Sequence, residues 1–323
     1  MKPFSPKYLL KNKHIQTLYS SFFRKDYNLC TDVETFLLSD GDFTECYWYN
    51  KNVLKNNAPI IVLFHGLEGS FQSPYIQGIM KHAKDEGFAS VVLHFRGCSG
   101  KTNNLPVAYH SCFTSDAIAW IEHLHMNYPD SQLFCAGYSM GGNMLLKLLA
   151  QQNTKCQLTA ATATSVPFLL QISSKTMEQG FAKIYQKHLL KSLQINLKKK
   201  YKKLNMNDFI PLKEKDINKL DTFWKFDDEY TAPIHGFKSA EDYYEKCSSR
   251  PILKDIKTPT LLIQAKDDPF MTPEVIPNKD ELSEYVTLEL SEHGGHVGFI
   301  EGSLFKPEYW LEKRIVEYFK TFL

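Results

Sequence analysis

Short apolar runs alternate with longer amphipathic stretches along most of the chain. Helical spacing of apolar residues predicts helices at Tyr75–Glu86, Ser115–Asn127, Gly142–Gln151 and Pro307–Phe322. Mainly apolar runs predict strands at Ile60–Phe64, Ser90–Phe95, Leu133–Tyr138, Leu158–Thr164, Thr260–Ala265 and Tyr285–Leu290. Because strands and helices alternate, we predict an α/β fold with a mainly parallel central sheet and helices on both faces.

Two segments depart from this alternation. Val33–Leu38 and Phe43–Tyr49 are rich in β-forming residues and flank Asp40-Gly41, a pair typical of hairpins. Strand patterning stops between residues 165 and 251, where the chain becomes helix-rich, lysine-rich and aromatic. We therefore predict a core of residues 1–164 and 252–323, with residues 165–251 inserted as a helical cap over the strand ends, where ligands bind in such sheets.

The clearest chemical motif is Gly137-Tyr138-Ser139-Met140-Gly141, a G-x-S-x-G sequence between a predicted strand and a predicted helix. Such a sharp strand-to-helix turn needs small residues, since the backbone passes close to its neighbours. The following helix directs its amino terminus at the serine, which favours developing negative charge. This context predicts that Ser139 is a catalytic nucleophile.

A nucleophilic serine needs a base, and the base needs an acid that orients it. The expected chain order is serine, acid, histidine. Asp267 and Asp268 follow the strand at Thr260–Ala265, and we predict Asp268 as the acid, with Asp267 as the alternative. His296 lies in a glycine-rich loop before the last helix, and we predict it as the base in preference to His293.

The oxyanion of an acyl-transfer reaction is held by backbone N–H groups. One donor comes from the residue after the nucleophile, here Met140, and the other from the loop after an early strand, here Leu67 in His65-Gly-Leu-Glu-Gly69. We expect His65 to brace this loop and not to titrate in catalysis.

Composition and charge narrow the possible partners. With 38 basic and 36 acidic residues the net charge is +2, so no nucleic-acid partner is predicted. The seven cysteines are scattered without C-x-x-C spacing, which argues against a disulfide framework or a structural zinc site and favours a reducing compartment. No apolar stretch resembles a signal peptide or a membrane span, and we expect a cytoplasmic protein.

No cofactor and no metal site are predicted. The sequence Phe95–Thr102 ends in Gly-Lys-Thr but lacks the first glycine of a phosphate-binding loop, so we interpret it as a strand-end turn. The basic run Lys198–Lys203 is either a solvated helix face or a rim that attracts anionic lipid in a peripheral contact. Upstream apolar residues either cover the active site or join the cap to the core: Phe181, Ile184, Leu190, Leu193 and Leu197.

Several of these motifs together resemble the YheT-like α/β-hydrolases, a group related to yeast medium-chain fatty-acid ethyl-ester synthases and to mammalian phospholipid and acylglycerol hydrolases. The resemblance runs from about residue 10 to the last helix. It rests on His14–Thr17, His65–Ser70, Phe95–Gly100, Tyr109–Ser111, Gly137–Asn143, Asp268–Phe270 and Gly294–Phe299. It implies the α/β-hydrolase fold and a triad of Ser139, Asp268 and His296.

The predicted function is that of a serine hydrolase that cleaves short- to medium-chain carboxylic esters through an acyl-enzyme. Two alternatives stay open at this point: an alcohol acyltransferase that uses the same triad, and a catalytically inert binding module.

Overall fold

A computed structural model describes residues 2–24 and 26–323 of the chain. Its centre is an eight-stranded sheet in the order β1-β2-β4-β3-β5-β6-β7-β8. The strands are β1 Asp32–Leu37, β2 Phe43–Tyr49, β3 Ile60–Phe64, β4 Ala89–Leu93, β5 Leu133–Tyr138, β6 Ala160–Thr164, β7 Thr260–Ala265 and β8 Val286–Ser291. The pairs from β4 to β8 are parallel, and β2 pairs antiparallel with both β1 and β4, so the sheet is mainly parallel as predicted.

Helices cover both faces of this sheet. They are α1 Lys13–Phe23, α2 Pro74–Asp85, α3 Ser115–Asn127, α4 Met140–Gln152, α5 Leu170–Met177, α6 Ala182–Lys203, α7 Phe223–Phe226, α8 Ala232–Ile234, α9 Ala240–Cys247 and α10 Trp310–Lys320. A π-helical turn, Asp227–Thr231, joins α7 to α8. Short 3-10 helices occupy Tyr8–Lys11, Lys51–Asn56, Asn153–Lys155, Met206–Asp208, Glu214–Lys219, Arg250–Asp255, Pro273–Val275 and Lys279–Glu281.

Alternate residues of each central strand enter different cores. In β3, Val62 and Phe64 pack with α3 and α4, whereas Ile61 and Leu63 pack with α2 and α10. Successive strand side chains point to opposite faces, and both faces here are covered, so every residue of β3 to β7 is buried and most are apolar. This explains the continuous apolar runs in the sequence.

Two segments differ from the sequence-based expectation. Residues Pro307–Tyr309, expected to begin the last helix, form a strand (β10) that pairs antiparallel with Ile300–Gly302 (β9), and the helix begins at Trp310. Proline fits the first residue of an edge strand, because it has no N–H for a ladder hydrogen bond. Helix α1, Lys13–Phe23, was not predicted.

Residues 165–251 lie between β6 and β7 and contain α5 to α9. They have an apolar cluster of their own, which includes Leu190, Leu197, Met206 and Ile217. No helix among the described residues is long and apolar enough to cross a membrane. The segment leaves β6 at the carboxyl edge of the sheet, where the parallel strand β5 also ends, and the chain then returns to the amino end of β7.

Candidate active site

Ser139 lies at the turn between β5 and α4, with a backbone φ of +52°. A Cβ added to Gly141 would lie 2.4 Å from the carbonyl oxygen of His65, and one added to Gly137 would lie 2.6 Å from the Gly141 oxygen. Larger residues would therefore collide with backbone on both sides of the turn. These close approaches explain the two glycines of the motif and are typical of a strained nucleophile turn.

Three side chains from distant parts of the chain form a continuous hydrogen-bonded series at this turn. The Oγ of Ser139 lies 2.9 Å from Nε2 of His296, and Nδ1 of His296 lies 2.8 Å from Oδ2 of Asp268. Asp268 is buried, and its Oδ1 accepts a hydrogen bond from the amide of Phe270. The Phe270 ring stacks on the His296 imidazole with a centroid separation of 3.9 Å, so one face of the imidazole is covered.

The neighbouring carboxylate, Asp267, has a different role. Its Oδ1 accepts a hydrogen bond from the amide of Gly295 at 3.0 Å, and its Oδ2 lies 3.4 Å from Nδ1 of His293. Burial raises the pKa of Asp267. Asp267 thus holds the loop that carries His296, while Asp268 contacts the imidazole itself.

Helix α1 holds the same loop from the other side, a role that the sequence analysis did not assign. The hydroxyl of Thr17 accepts a hydrogen bond from the amide of His296 at 2.9 Å. The buried side-chain amide of Gln16 accepts a hydrogen bond from the N–H of Ile300 and donates one to the carbonyl of Ile300. A Cβ at Gly298 would lie 2.3 Å from the backbone carbonyl oxygen of Gln16, so the loop and the helix are in direct contact. The His14–Thr17 motif was the signal for this contact.

The loop after β3 passes close to Ser139. The amide of Gly66 donates to the hydroxyl of Tyr75, and the amide of Glu68 donates to the hydroxyl of Tyr109. The amide of Leu67 between them bonds no acceptor among the described residues. It is therefore available to a ligand.

The second predicted donor, the amide of Met140, is the first of α4. First-turn amides have no acceptor within their own helix. A Cβ at Gly66 would approach the Cβ of Ser139 to 3.3 Å, which shows how closely the β3 loop lies against the serine.

His65 braces the β3 loop, as expected from the sequence. Its Nδ1 donates to the carbonyl of Gly66 at 2.7 Å, and its Nε2 accepts from the amide of Phe95 at 3.1 Å. Burial lowers the pKa of His65 to about 3, with a smaller contribution from His94. The imidazole is therefore neutral, with its proton on Nδ1.

A cavity of about 750 Å³ opens beside Ser139 and His296. Its volume lies within the usual range of small-molecule sites. Its apolar wall is formed by side chains from α1, from the segment 165–251 and from the Asp268 turn. These are Leu18, Met177, Phe181, Ile184, Leu189, Leu193, Phe226 and Phe270.

Buried and half-buried polar groups line another part of this cavity. Lys200 donates to backbone carbonyls of residues 105–107, and burial lowers its pKa to about 7. Asp227 accepts from the hydroxyl of Tyr244 at 2.7 Å, and burial raises its pKa to about 6. The expectation of a fully solvated or lipid-facing Lys198–Lys203 run is therefore wrong at Lys200, which fastens α6 to a loop of the core.

The strand-end turn at Phe95–Thr102 is held to its neighbours by ion pairs of Arg96. Arg96 is buried and its guanidinium contacts three carboxylates, those of Asp40, Asp42 and Asp116, at 2.7 to 3.2 Å. This network joins the hairpin β1–β2 to α3, and Arg96 itself also lines the cavity. The interpretation of the segment as a turn agrees with this structure.

Two cysteines form a disulfide that the sequence analysis did not expect. Cys112 and Cys247 are bonded across a separation of 135 residues, linking the loop before α3 to the end of α9. They lie beside His110, and within the described chain these three residues are the group whose ligand atoms are close enough for a metal. Sulfurs bonded to each other are not the thiolates that metals bind.

The chain is similar to known proteins over almost its whole length. Residues 59–303 match the model of the alpha/beta hydrolase fold family. Over 320 residues the chain is 40% identical to "Putative esterase YheT" of Escherichia coli (strain K12), with 99% of this chain and 94% of that protein covered.

More distant relatives have names from ester and lipid chemistry. Phospholipase ABHD3 of Mus musculus is 30% identical over 83% of this chain and 66% of its own length. The "medium-chain fatty acid ethyl ester synthase/esterase 2" of Saccharomyces cerevisiae is 29% identical over 82% of this chain and 63% of its own. The crystal structure of Pyrococcus furiosus esterase Pf2001 superimposes on this chain with a TM-score of 0.57 at 15% identity. The superposition covers 98% of this chain and 99% of that one, so the two proteins share a fold.

Proposed function

Since this chain belongs to the α/β-hydrolase fold family and is a carboxylic-ester hydrolase, we propose that it cleaves esters of short- to medium-chain acyl groups through an acyl-enzyme on Ser139. The single observation that carries the proposal is the hydrogen-bonded series from Ser139 through His296 to Asp268. Its order matches the roles of nucleophile, base and orienting acid.

In the proposed reaction, Nε2 of His296 takes the proton of the Ser139 hydroxyl as Oγ bonds the ester carbonyl carbon. The carboxylate of Asp268 accepts a hydrogen bond from the Nδ1–H of His296, and the proton stays on the imidazole. This hydrogen bond fixes the tautomer and stabilises the imidazolium. His296 then gives its proton to the departing alcohol as the C–O bond breaks. A water molecule releases the acid by the same steps, with its proton passing through His296 to Ser139.

The oxyanion formed in both steps would be held by the amides of Leu67 and Met140. Support for this assignment comes from the free amide of Leu67 and from the position of Met140 at the amino terminus of α4, where the helix dipole favours negative charge. The apolar wall of the cavity would take the acyl chain. Residues 165–251 contribute much of that wall, and we propose that they act as the cap of the site.

Replacement of the nucleophile tests this function. The wild-type protein is expected to release p-nitrophenol from p-nitrophenyl butyrate with a pre-steady-state burst, and Ser139→Ala to lose on the order of 10⁴-fold or more in turnover. A fluorophosphonate probe should label the wild type and not the variant. Equal turnover by a folded Ser139→Ala protein would refute the mechanism, and an unlabelled wild type would favour an inert binding module.

Acyl transfer to an alcohol is the second candidate, favoured by the printed name of the yeast relative. The same acyl-enzyme yields an ester if an alcohol, and not water, attacks it. Product analysis with ethanol present distinguishes the two, since a transferase gives mainly ethyl ester and a hydrolase mainly free acid.

A further inference from the structure

The mouth of the cavity is formed by two helices that expose large apolar side chains. Phe22, at the end of α1, is 72% exposed, and Phe181 and Ile184, at the start of α6, are 46% and 58% exposed. All three also line the cavity, so they lie where it opens to solvent. Phe23, 70% exposed beside Phe22, extends this apolar surface beyond the cavity. Single exposed apolar residues are ordinary, but a group around one opening marks an interaction site.

The same two helices lack acidic residues. Residues 2–23 contain four lysines and no Asp or Glu, and α6 contains eight lysines and no Asp or Glu. The rest of the chain has 26 basic and 36 acidic residues, so the small net charge hides a strong separation. Positive charge is therefore concentrated on the elements that form the mouth.

Three of these lysines lie on the exposed side of α6 beside the apolar group. Lys183, Lys187 and Lys191 recur every four residues, which places them along one side of the helix, and all three are exposed. None of them forms an ion pair with a described residue. Lys200, by contrast, is buried against the core. Exposed lysines without an ion pair to a described residue thus lie along the first half of α6, directly beside the apolar group.

We propose that this mouth surface, formed by Phe22, Phe23, Phe181 and Ile184 with Lys183, Lys187 and Lys191, docks on an anionic lipid bilayer. Aromatic and aliphatic side chains would enter the interface while the lysines contact anionic headgroups, the usual division in peripheral helices. The cavity then opens towards the lipid, and an ester could reach Ser139 without crossing water. This inference rests on the proposed function for the identity of the ligand.

Charge favours a bilayer over a second copy of the chain. A symmetric dimer through this surface would place the same acid-free helices against each other, and like charges across an interface oppose association. A bilayer with anionic lipids provides both the negative charge and the apolar layer that the surface matches.

Cosedimentation with vesicles tests the docking. The wild-type protein should bind phosphatidylcholine vesicles that contain phosphatidylglycerol, bind pure phosphatidylcholine vesicles much more weakly, and lose the difference at high salt. The triple variant Lys183→Gln, Lys187→Gln, Lys191→Gln should bind anionic vesicles on the order of 100-fold more weakly, from about a fivefold effect for each lysine. Its turnover of soluble p-nitrophenyl butyrate should be unchanged, because these lysines do not line the cavity.

A matched control uses exposed lysines at the opposite edge of the sheet. Lys155, Lys254 and Lys279 lie in connections near the amino ends of β6, β7 and β8, and their replacement by Gln removes the same charge. This control should retain vesicle binding. Phe23→Ser should weaken binding by about tenfold through lost apolar contact.

Three outcomes would overturn the docking proposal: equal binding to neutral and anionic vesicles, equal losses in the mouth and control variants, or a dimer in sedimentation velocity that only the mouth variant dissociates. Failure of the proposed function gives a different result. In that case the vesicle data would stand, while the wild-type protein would not turn over the soluble ester.

Discussion

Ser139 has a backbone conformation that few L-residues adopt, because at positive φ the Cβ crowds its own backbone. Such a conformation costs on the order of 1–3 kcal/mol and persists only where the surroundings impose it. Here the Ser139 amide donates to the carbonyl of Thr164 at 2.8 Å, and its carbonyl accepts from the amide of Asn143 at 3.0 Å. The Asn143 side chain in turn donates to the carbonyls of Ser111 and Cys247. Strain at the serine is thus held by contacts from three neighbouring segments.

The two adjacent aspartates should respond very differently to the same substitution. Asp268→Asn removes the negative charge beside Nδ1 of His296, and we expect kcat to fall on the order of 10³- to 10⁴-fold. Asp267→Asn keeps an oxygen that can accept from Gly295, so we expect a loss below about tenfold. Steady-state kinetics on p-nitrophenyl butyrate, with circular dichroism to check folding, measures both. A larger loss for Asp267→Asn would reverse the assignment of the acid.

At the scale of elements, α1 and the loop between β8 and β9 form one unit. The glycines of the loop allow close approach: a Cβ at Gly295 would lie 2.6 Å from the Lys13 oxygen. Gln16 and Thr17 then bond the loop backbone directly. Helix α1 precedes the region that matches the family model, which begins at residue 59, yet it bonds the backbone of His296, the proposed base. Helix α1, near the start of the sequence, therefore helps to position His296, near its end.

Substitution of Thr17 tests this positioning. Thr17→Val keeps the shape of the side chain but leaves the His296 amide without its acceptor, which costs about 1–3 kcal/mol where it stays buried. We expect kcat to fall about tenfold with little change in KM. Thr17→Ser retains the hydroxyl and should restore most of kcat. If serine and valine variants lose equally, the methyl packing and not the hydrogen bond is what matters.

Across the whole molecule, several histidines are held neutral by burial. The pKa of His65 is lowered to about 3 and that of His235 to about 4, and those of His94 and His110 are also lowered, with desolvation as the largest cause in each case. In the unfolded chain these groups take up protons near pH 6.5. Burial of Asp227 acts in the opposite direction, since it raises the pKa of an acid.

The free energy of unfolding should therefore decrease as the pH falls. The contribution of His65 can be measured separately from those of the other histidines. Between pH 6.5 and pH 3 the unfolded state binds a proton at His65 that the folded state does not, so the free energy of unfolding decreases as pH falls. At pH 5 the loss from this residue is about 2 kcal/mol relative to neutral pH. Urea unfolding of wild type and His65→Gln at both pH values measures it. The variant should lose about 2 kcal/mol less, and parallel losses would contradict a neutral buried His65.

The sequence by itself determined the eight strands of the sheet in chain order and the strand-to-helix turn at Ser139. Continuous apolar runs report strands buried on both faces, and the glycines around Ser139 report a turn with no room for side chains, so both signals are local. The helical spacing of Pro307–Tyr309 is also a local signal, but the helix predicted from it is wrong there. This segment pairs with β9 across a short turn, because ladder hydrogen bonds to the neighbouring strand outweigh a weak propensity.

Only the tertiary structure decided which groups meet. Adjacent residues after a strand point in different directions, so the choice between Asp267 and Asp268 required the position of His296, 28 residues later. The role of Gln16 and Thr17 and the burial of Lys200 likewise depend on segments far apart in the chain. These contacts are long-range, and a sequence pattern read along the chain records spacing but not the partner across the fold.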